Sequence, residues 1–359
     1  MTDASALGIY ALDVGQGDCT FVVPPAGHGD PILIDCNDSY VAERFVANHG
    51  FRRLEAVVVT HLDRDHIRGI VPFLKTYFDG GGQVGSLYIQ RDRPVPADGD
   101  GREIALLLEQ ALDWDENPPC VDFCLEPVIR TRKPKLIARG KDWVAELILP
   151  FYRTQLVAVS NASDHPNACS AVVRVARGGK AVLICGDALL ESWNHLEPDL
   201  DPAAAIRTPH HGGDLGHGER LQTANELYDA VGADHALVSV GTNNRWNHPT
   251  PSNLEAMRRG GACRVRCTQL TPTCHSDPLQ LRELALEYAG GVEWTYRHRG
   301  RPGDPRRPAP TMEAPCAGSM VCWIDAHGTV AVEPQPGGAH DRLLYKVSRP
   351  RCQPLDDEP

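Results

Sequence analysis

Residues 60–69 read THLDRDHIRG, between the apolar run LEAVVVT at 54–60 and a stretch with helical spacing at Ile67, Ile70, Val71 and Leu74. The run predicts a buried strand. The spacing predicts a helix over 65–78, with Pro72 close enough to its start for the missing N–H to be tolerated. His61, Asp63, Asp65 and His66 therefore crowd into six residues where a strand hands over to a helix. A loop at the carboxyl end of a strand can turn alternate side chains toward one point, and imidazole with carboxylate suits Zn²⁺, Mn²⁺ or Fe²⁺. A helix cap from Asp63 or Asp65 needs only one carboxylate and does not account for the rest of the cluster.

Working outward, residues 7–12 and 20–23 flank a Gly-rich turn, residues 31–35 form a third short apolar run, and 40–48 carry helical spacing that stops at His49 and Gly50. Further on, the pattern predicts a strand over 87–90, an amphipathic helix over 103–114, and a hairpin made of 168–175, the turn 177–179 and 181–185. The hairpin ends in Gly186-Asp187. Helix, strand and helix recur over 218–231, 235–240 and 252–259, an alternation that predicts a layered α/β architecture. From Cys263 the pattern weakens, and 297–310 are rich in Pro, Gly and Arg. Residues 1–265 thus read as one domain and 266–359 as a small irregular C-terminal extension.

With 359 residues, 42% hydrophobic and 23% charged, the chain has the composition of a folded domain with an ample core, which excludes disorder as a description of the whole. The first twenty residues lack a basic and then apolar leader, and no run of about 18 apolar residues follows. A cytoplasmic location without membrane contact is expected. The twelve cysteines then read as reduced thiols or metal ligands. A net charge of -11 argues against a protein that coats DNA. Two basic stretches, 130–141 and 297–307, could track a nucleic-acid backbone or lie as a solvated strand and a flexible loop, since neither carries interleaved aromatics.

Five more segments stand in order around the first: LDVGQGD at 12–18, PNACSAVVRV at 166–175, LICGDA at 183–188, TPHHGG at 208–213 and NHPTP at 247–251. With THLDRDH they resemble the metallo-β-lactamase-fold hydrolases, in the aspartate variant of the H-x-[HD]-x-D-H signature typical of ComEC-like domains. The resemblance covers about residues 7–265 and implies an αββα sandwich with two divalent ions. It implies that His61 and Asp63 help hold one ion, that Asp65 and His66 hold the second, and that Asp187 bridges both. His210 or His211 would complete the second site, its neighbour pointing the other way.

Two positions depart from the wider pattern. Asn167 stands where many enzymes of the fold carry histidine, which implies a labile first ion, and it joins Ser170 in a supporting place. Arg68 stands where glycine is common, either meeting phosphate or facing solvent. Asp13, Gln16 and Asp18 are expected to hydrogen-bond the ligands, with Gly15 and Gly17 forming the turn between them. Asp65 is assigned a catalytic place, and so is His248, which would bind a phosphate oxygen or protonate a leaving group.

The activity so implied is that of a dinuclear phosphodiesterase or nuclease on DNA or RNA. A water held between two cations, Zn²⁺ or Mn²⁺, would lose a proton near neutral pH and attack. Two alternatives stand beside it: hydrolysis of a small ester, lactam or cyclic nucleotide, and a binding or regulatory module without turnover. Protein partners in a defence or nucleic-acid-processing system are expected by analogy alone. Separately, Cys263, Cys267, Cys274 and His275 cluster near the end of the resemblance, and Cys316, Cys322 and Cys352 follow. No paired C-x-x-C occurs there, and Cys274, His275, Cys316 and Cys352 are the candidate set for a structural zinc.

Overall fold

The computed structural model describes residues 4–90, 101–130, 133–150, 166–195, 202–242, 244–260, 263–271, 273–274, 315–334, 340–346 and 350–353. Two sheets carry the described strands. The first contains β1 (Leu7–Ala11), β2 (Cys19–Val23), β3 (Ile32–Cys36), β4 (Arg53–Val58), β5 (Gln83–Ile89), β6 (Cys124–Pro127), β14 (Met320–Ile324) and β15 (Val330–Pro334), in the order β15-β14-β1-β2-β3-β4-β5-β6. The second contains β7 (Lys135–Arg139), β8 (Trp143–Leu149), β9 (Val172–Arg177), β10 (Lys180–Ile184), β11 (Ala205–Arg207), β12 (His235–Val238) and β13 (Arg264–Cys267), in the order β13-β12-β11-β10-β9-β8-β7.

Alternation along the strands divides their side chains among three apolar clusters. In β4, Ala56 and Val58 join Ile32, Ile34, Val173, Val175, Val182 and Ile184 between the two sheets, while Leu54 and Val57 point the other way. That outer face of the first sheet packs against α1 (Ser39–His49), α3 (Ile70–Asp79) and α4 (Gly101–Glu116) through Phe45, Phe73 and Leu107. The second sheet turns Val172, Leu183 and Ile206 toward α5 (Ala224–Val231) and α6 (Pro251–Gly260), where Tyr228 and Met257 are buried. Three cores between four layers make an αββα sandwich. Strands apolar on both faces read as continuous hydrophobic runs, which is why LEAVVVT is conspicuous.

The helix expected over 65–78 is two helices, α2 (Arg64–Ile67) and α3, separated at Arg68 and Gly69. A packing contact causes the break. Gly69 N donates to the Cys36 carbonyl at 2.7 Å, and a Cβ on Gly69 would lie only 2.6 Å from Ser39 N. The turn between β3 and α1 can approach this closely only because the side chain is missing. Two other expected elements begin late: the strand at 168 starts at Val172, after a 3-10 turn over Pro166–Cys169, and the helix at 218 starts at Ala224, where Thr223 caps it by accepting from Glu226 N.

The segment read as an irregular extension contributes regular structure to the first sheet. β14 pairs antiparallel with β1, Ile9 opposite Cys322, and β15 then pairs with β14. The stretch 297–307 and His275 lie outside the described residues. Among the described residues no helix is long and apolar enough to cross a membrane.

Candidate metal centre

Strands β3 and β4 run parallel in the first sheet, and β10, β11 and β12 run parallel in the second. Loops leaving the carboxyl ends of parallel strands are where α/β proteins assemble sites. His61 lies just beyond β4, Asp187 beyond β10, His211 on a 3-10 turn (Pro209–Gly212) beyond β11, and Ser239 beyond β12. The sandwich thus delivers ligand types from both sheets to one place.

Asp35, near the end of β3, organises the first half of the cluster. Its Oδ1 accepts from Thr60 N at 2.7 Å, and its Oδ2 accepts from the Thr60 hydroxyl at 2.6 Å and from His66 Nδ1 at 2.7 Å. The Thr60 proton is committed to Asp35, so the 3.1 Å contact between Thr60 Oγ1 and His61 Nδ1 requires the imidazole to donate. Both rings therefore carry hydrogen on Nδ1 and present Nε2 to the cluster. A buried carboxylate behind a histidine is the usual device for orienting a metal ligand. The sequence pattern places Asp35 only at the end of a strand; nothing beside it marks its role.

The adjacent histidines separate cleanly. His211 is buried, and its Nδ1 donates to the Ser239 carbonyl at 2.9 Å, so Nε2 faces inward. His210 turns away: its Nδ1 donates to the Asp214 carbonyl at 2.7 Å. Both residues have positive φ, 52° and 51°, and this tight turn, not an extended segment, sets their divergence.

Three Nε2 atoms and three carboxylates then face one another. His66 Nε2 is 3.2 Å from His211 Nε2 and 3.2 Å from Asp187 Oδ1. His211 Nε2 is 3.3 Å from Asp65 Oδ2 and 3.5 Å from Asp187 Oδ1. His61 Nε2 is 3.6 Å from Asp187 Oδ2 and 3.8 Å from Asp63 Oδ2. Asp187 thus offers one oxygen to His61 and the other to His66 and His211. His61, His66 and Asp187 form one group with ligand atoms within 4.8 Å of one another, and Asp65, His66 and His211 form another.

The donor set fits divalent cations. His61 Nε2 and Asp187 Oδ1 are buried with no hydrogen-bond partner, a costly condition unless a cation satisfies them. Two imidazole lone pairs aimed at each other across 3.2 Å likewise repel unless positive charge lies between them. Without an ion, protons take that place. Burial alone would lower His66 and His211, but Asp187 and its carboxylate neighbours outweigh burial, raising His66 well above the ordinary value and His211 to about 9. Burial would raise Asp187, yet His211, His66 and His61 hold it well below the usual carboxylate range.

The LDVGQGD loop braces this arrangement. Gly17, with φ of 126°, passes so close to the Asp65 carbonyl that a Cβ would collide with it, and Asp18 N donates to the same carbonyl at 3.1 Å. Asp18 Oδ1 lies 2.6 Å from Arg207 Nη2, Oδ2 lies 3.2 Å from Arg207 Nε, and Oδ1 is 3.5 Å from His211 Nδ1. Burial pushes the Asp18 carboxyl up, but Arg207, with His211 and His66, holds it below its ordinary range. Sequence reasoning missed Arg207, although an arginine ending an apolar strand one residue before TPHHGG is itself a signal.

The other expected supports lie differently. Asp13 Oδ1 accepts from Gly15 N and Gln269 Nε2, and Asp13 N donates to Ser319 Oγ, so it ties the loop to later parts of the chain without contacting a ligand. Gln16 Oε1 accepts from Gly241 N at 3.4 Å. Asp18 reaches His211, while Asp13 and Gln16 brace the loop that carries it. Asn167 and Ser170 lie on the turn preceding β9, where Ala171 N donates to the Thr60 carbonyl, and Asn167 Oδ1 and Ser170 Oγ are buried without partners. Arg68 is exposed and donates from Nε to the Asn37 carbonyl at 3.2 Å.

His248 borders the cluster. Its ring stacks at 6.2 Å from His211 and meets His210 edge-on at 5.1 Å, while Asn244 clamps its backbone by accepting from His248 N and donating to His248 O. Gly213 leaves space for the ring, since a Cβ there would sit 2.5 Å from Nε2. Burial, reinforced by His211 and His210, lowers His248 to about 4. Two residues earlier, Trp246 is 55% exposed, with the Arg245 guanidinium 4.3 Å from its ring centre.

No family model matches the chain. It is 24% identical to ComE operon protein 3 of Bacillus subtilis (strain 168) over 310 residues, 80% of this chain and 33% of that protein. It is 25% identical to Recombination protein 2 of Haemophilus influenzae over 258 residues, 70% of this chain and 26% of that protein. The chain therefore spans a third or less of the length of these relatives. Among solved structures, the metallo-beta-lactamase fold protein YhfI from Bacillus subtilis aligns with a TM-score of 0.45 and 13% identity over 73% of this chain and 96% of its own. Human tRNase Z, short form, aligns with a TM-score of 0.39 and 12% identity over 65% and 91%. The αββα sandwich, the order of its histidine and aspartate motifs and the two sequence relatives make the chain similar to ComEC-like proteins on a metallo-β-lactamase fold.

Proposed function

We propose that this chain is a metal-dependent phosphodiesterase acting on nucleic acid. The observation that carries the reading is Asp187, whose two oxygens face two different groups of histidines. A single structural ion would have little use for a carboxylate shared in this way. His61, Asp63 and Asp187 would hold one divalent ion, and Asp65, His66, His211 and Asp187 the second, Zn²⁺ or Mn²⁺ being suited to these ligands. Bound there, such ions acidify water and offset the charge of a phosphodiester.

The chain's own groups do the rest. His211 and His66 are locked by Ser239 and Asp35, which preserves the geometry between turnovers. Asp65 is the partly exposed carboxylate of the second group, and although burial raises it, the bond from His211 keeps it ionised and able to accept a hydrogen bond from an entering water. His248 is neutral at pH 7, so it suits donation of a hydrogen bond to a phosphate oxygen better than delivery of a proton. Trp246, exposed beside His248, offers a base a stacking surface. One relative's name, a recombination protein, supports nucleic acid over a small ester or lactam.

The test is a panel of single- and double-stranded DNA, RNA, cyclic nucleotides, a small phosphodiester, a carboxylic ester and a lactam, each with defined metal and with Asp187→Asn as control. Metal-dependent cleavage of nucleic acid, lost in the variant, supports the reading. Turnover of the ester or lactam alone replaces it, and no turnover anywhere leaves a binding module.

A further inference from the structure

Away from the histidine cluster, a small cavity of about 30 Å³ is lined by Cys267, Cys274, Cys316, Cys352, His340, Leu270 and Leu343. The thiols come from four separate stretches of chain. Cys267 ends β13, Cys274 closes a turn in which Cys274 N donates to the Thr271 carbonyl, Cys316 precedes β14, and Cys352 lies beside β13, its carbonyl accepting from Val265 N. Cys316 N donates to Thr268 O and Ala317 N to Cys267 O, so backbone bonds hold these stretches together.

We propose that Cys267, Cys274, Cys316 and Cys352 form a structural site for one zinc ion. The assignment takes Cys267 where the sequence pattern offered His275, which lies outside the described residues. Small apolar packing explains one or two buried cysteines, but not the polar groups gathered around these four. Thr271 N donates to Cys274 Sγ at 3.4 Å, and His340 Nδ1 lies 3.2 Å from Cys316 Sγ, positioned to donate to a thiolate. Arg266 keeps its Nε buried without a hydrogen-bond partner, and its charge, faced most strongly by Asp341, also meets Cys352 and Cys316. A side-chain hydrogen bond joins Cys267 and Cys274.

The four sulfurs do not all lie within 4.8 Å of one another, so loading draws them inward around the cavity. Each thiol that ligates gives up its proton. The site would staple the stretches at Cys316 and Cys352 to β13, an edge strand of the second sheet. It is independent of the proposed activity.

The experiment uses the full chain loaded with Co²⁺, because thiolate ligation gives a near-ultraviolet charge-transfer band that histidine and carboxylate ligation does not. The band should be present at one equivalent and lose intensity, with shifted d–d absorption, in Cys316→Ser and Cys352→Ser. Since those variants can fail to fold, native alkylation with peptide mapping is run on the wild type. The four thiols should resist modification while Cys124, exposed, reacts, and should become reactive once a chelator strips the ion. Absence of the band, protection that persists after stripping, or a disulfide among the four would each overturn the proposal.

Discussion

The carboxylate of Asp35 lies 2.7 Å from His66 Nδ1 and, through the Thr60 hydroxyl, also sets the tautomer of His61. One side chain that contacts no substrate thus orients a histidine in each half of the cluster. Asp35→Ala should weaken metal binding by about 10- to 100-fold, the range for loss of such an orienting partner. Competition with a chelator of known affinity measures it, and an unchanged affinity would show that the two rings hold their places unaided.

His210 and His211 are neighbours in sequence with opposite roles in space. His211→Ala should remove one ion per chain by elemental analysis, and hydrolysis with it. His210→Ala should retain full metal content, because that ring is anchored to the Asp214 carbonyl. The reverse pattern would exchange the two assignments.

Asp18 and Arg207 form a bidentate pair that is almost completely buried. Arg207→Ala leaves the Asp18 carboxylate without its counter-charge and should destabilise the fold by about 3–5 kcal/mol in urea denaturation. Replacing both partners by apolar residues of similar volume should cost much less, although it would also loosen the loop behind Asp65.

Acidity should act on the ion-free protein in a defined direction. Burial lowers His211, but Asp187, Asp65 and Asp18 raise it from 6.5 to about 9. The stability contributed by the protonated ring is complete below about pH 6.5 and is lost as pH rises through about 9. Chelator-treated protein should therefore unfold more easily at about pH 9 than at about pH 6. Metal affinity should climb over the same window, because the ion displaces that proton. Thermal melts with and without chelator at the two pH values read both effects.

Trp246→Ala should raise KM for nucleic acid and leave a small phosphodiester unaffected. Stacking contributes about 1–3 kcal/mol per base, or roughly 5- to 150-fold in affinity. Equal effects on both substrates would place Trp246 in the architecture of the His248 turn, with no part in recognition.

The candidate ligands are legible in the sequence because metal chemistry restricts residue types within a short span: THLDRDH packs two histidines and two aspartates into six positions, far more than a helix cap requires, and Asp187 follows a clear hairpin. What organises those ligands is not legible. Asp35 acts across neighbouring strands of the first sheet, and only folding brings Arg207, on the second sheet, beside Asp18, 189 positions away. The break at Gly69 has the same origin, since a helical pattern continues through it and a contact with the chain at Cys36 and Ser39 interrupts it. Short strands such as β11 lack enough residues to show any period, and local periodicity cannot announce that β14 completes the first sheet.

That last pairing sets a timetable for the molecule. β1 hydrogen-bonds on one side to β2, close in the chain, and on the other to β14, with Asp13 and Ser319 joined across 306 positions. A nascent polypeptide therefore carries β1 with one bare margin until β14, about 306 positions further on, has been made, and such a margin invites pairing with other chains. The arrival of β14 is thus the moment when this side of the sandwich becomes safe from its neighbours.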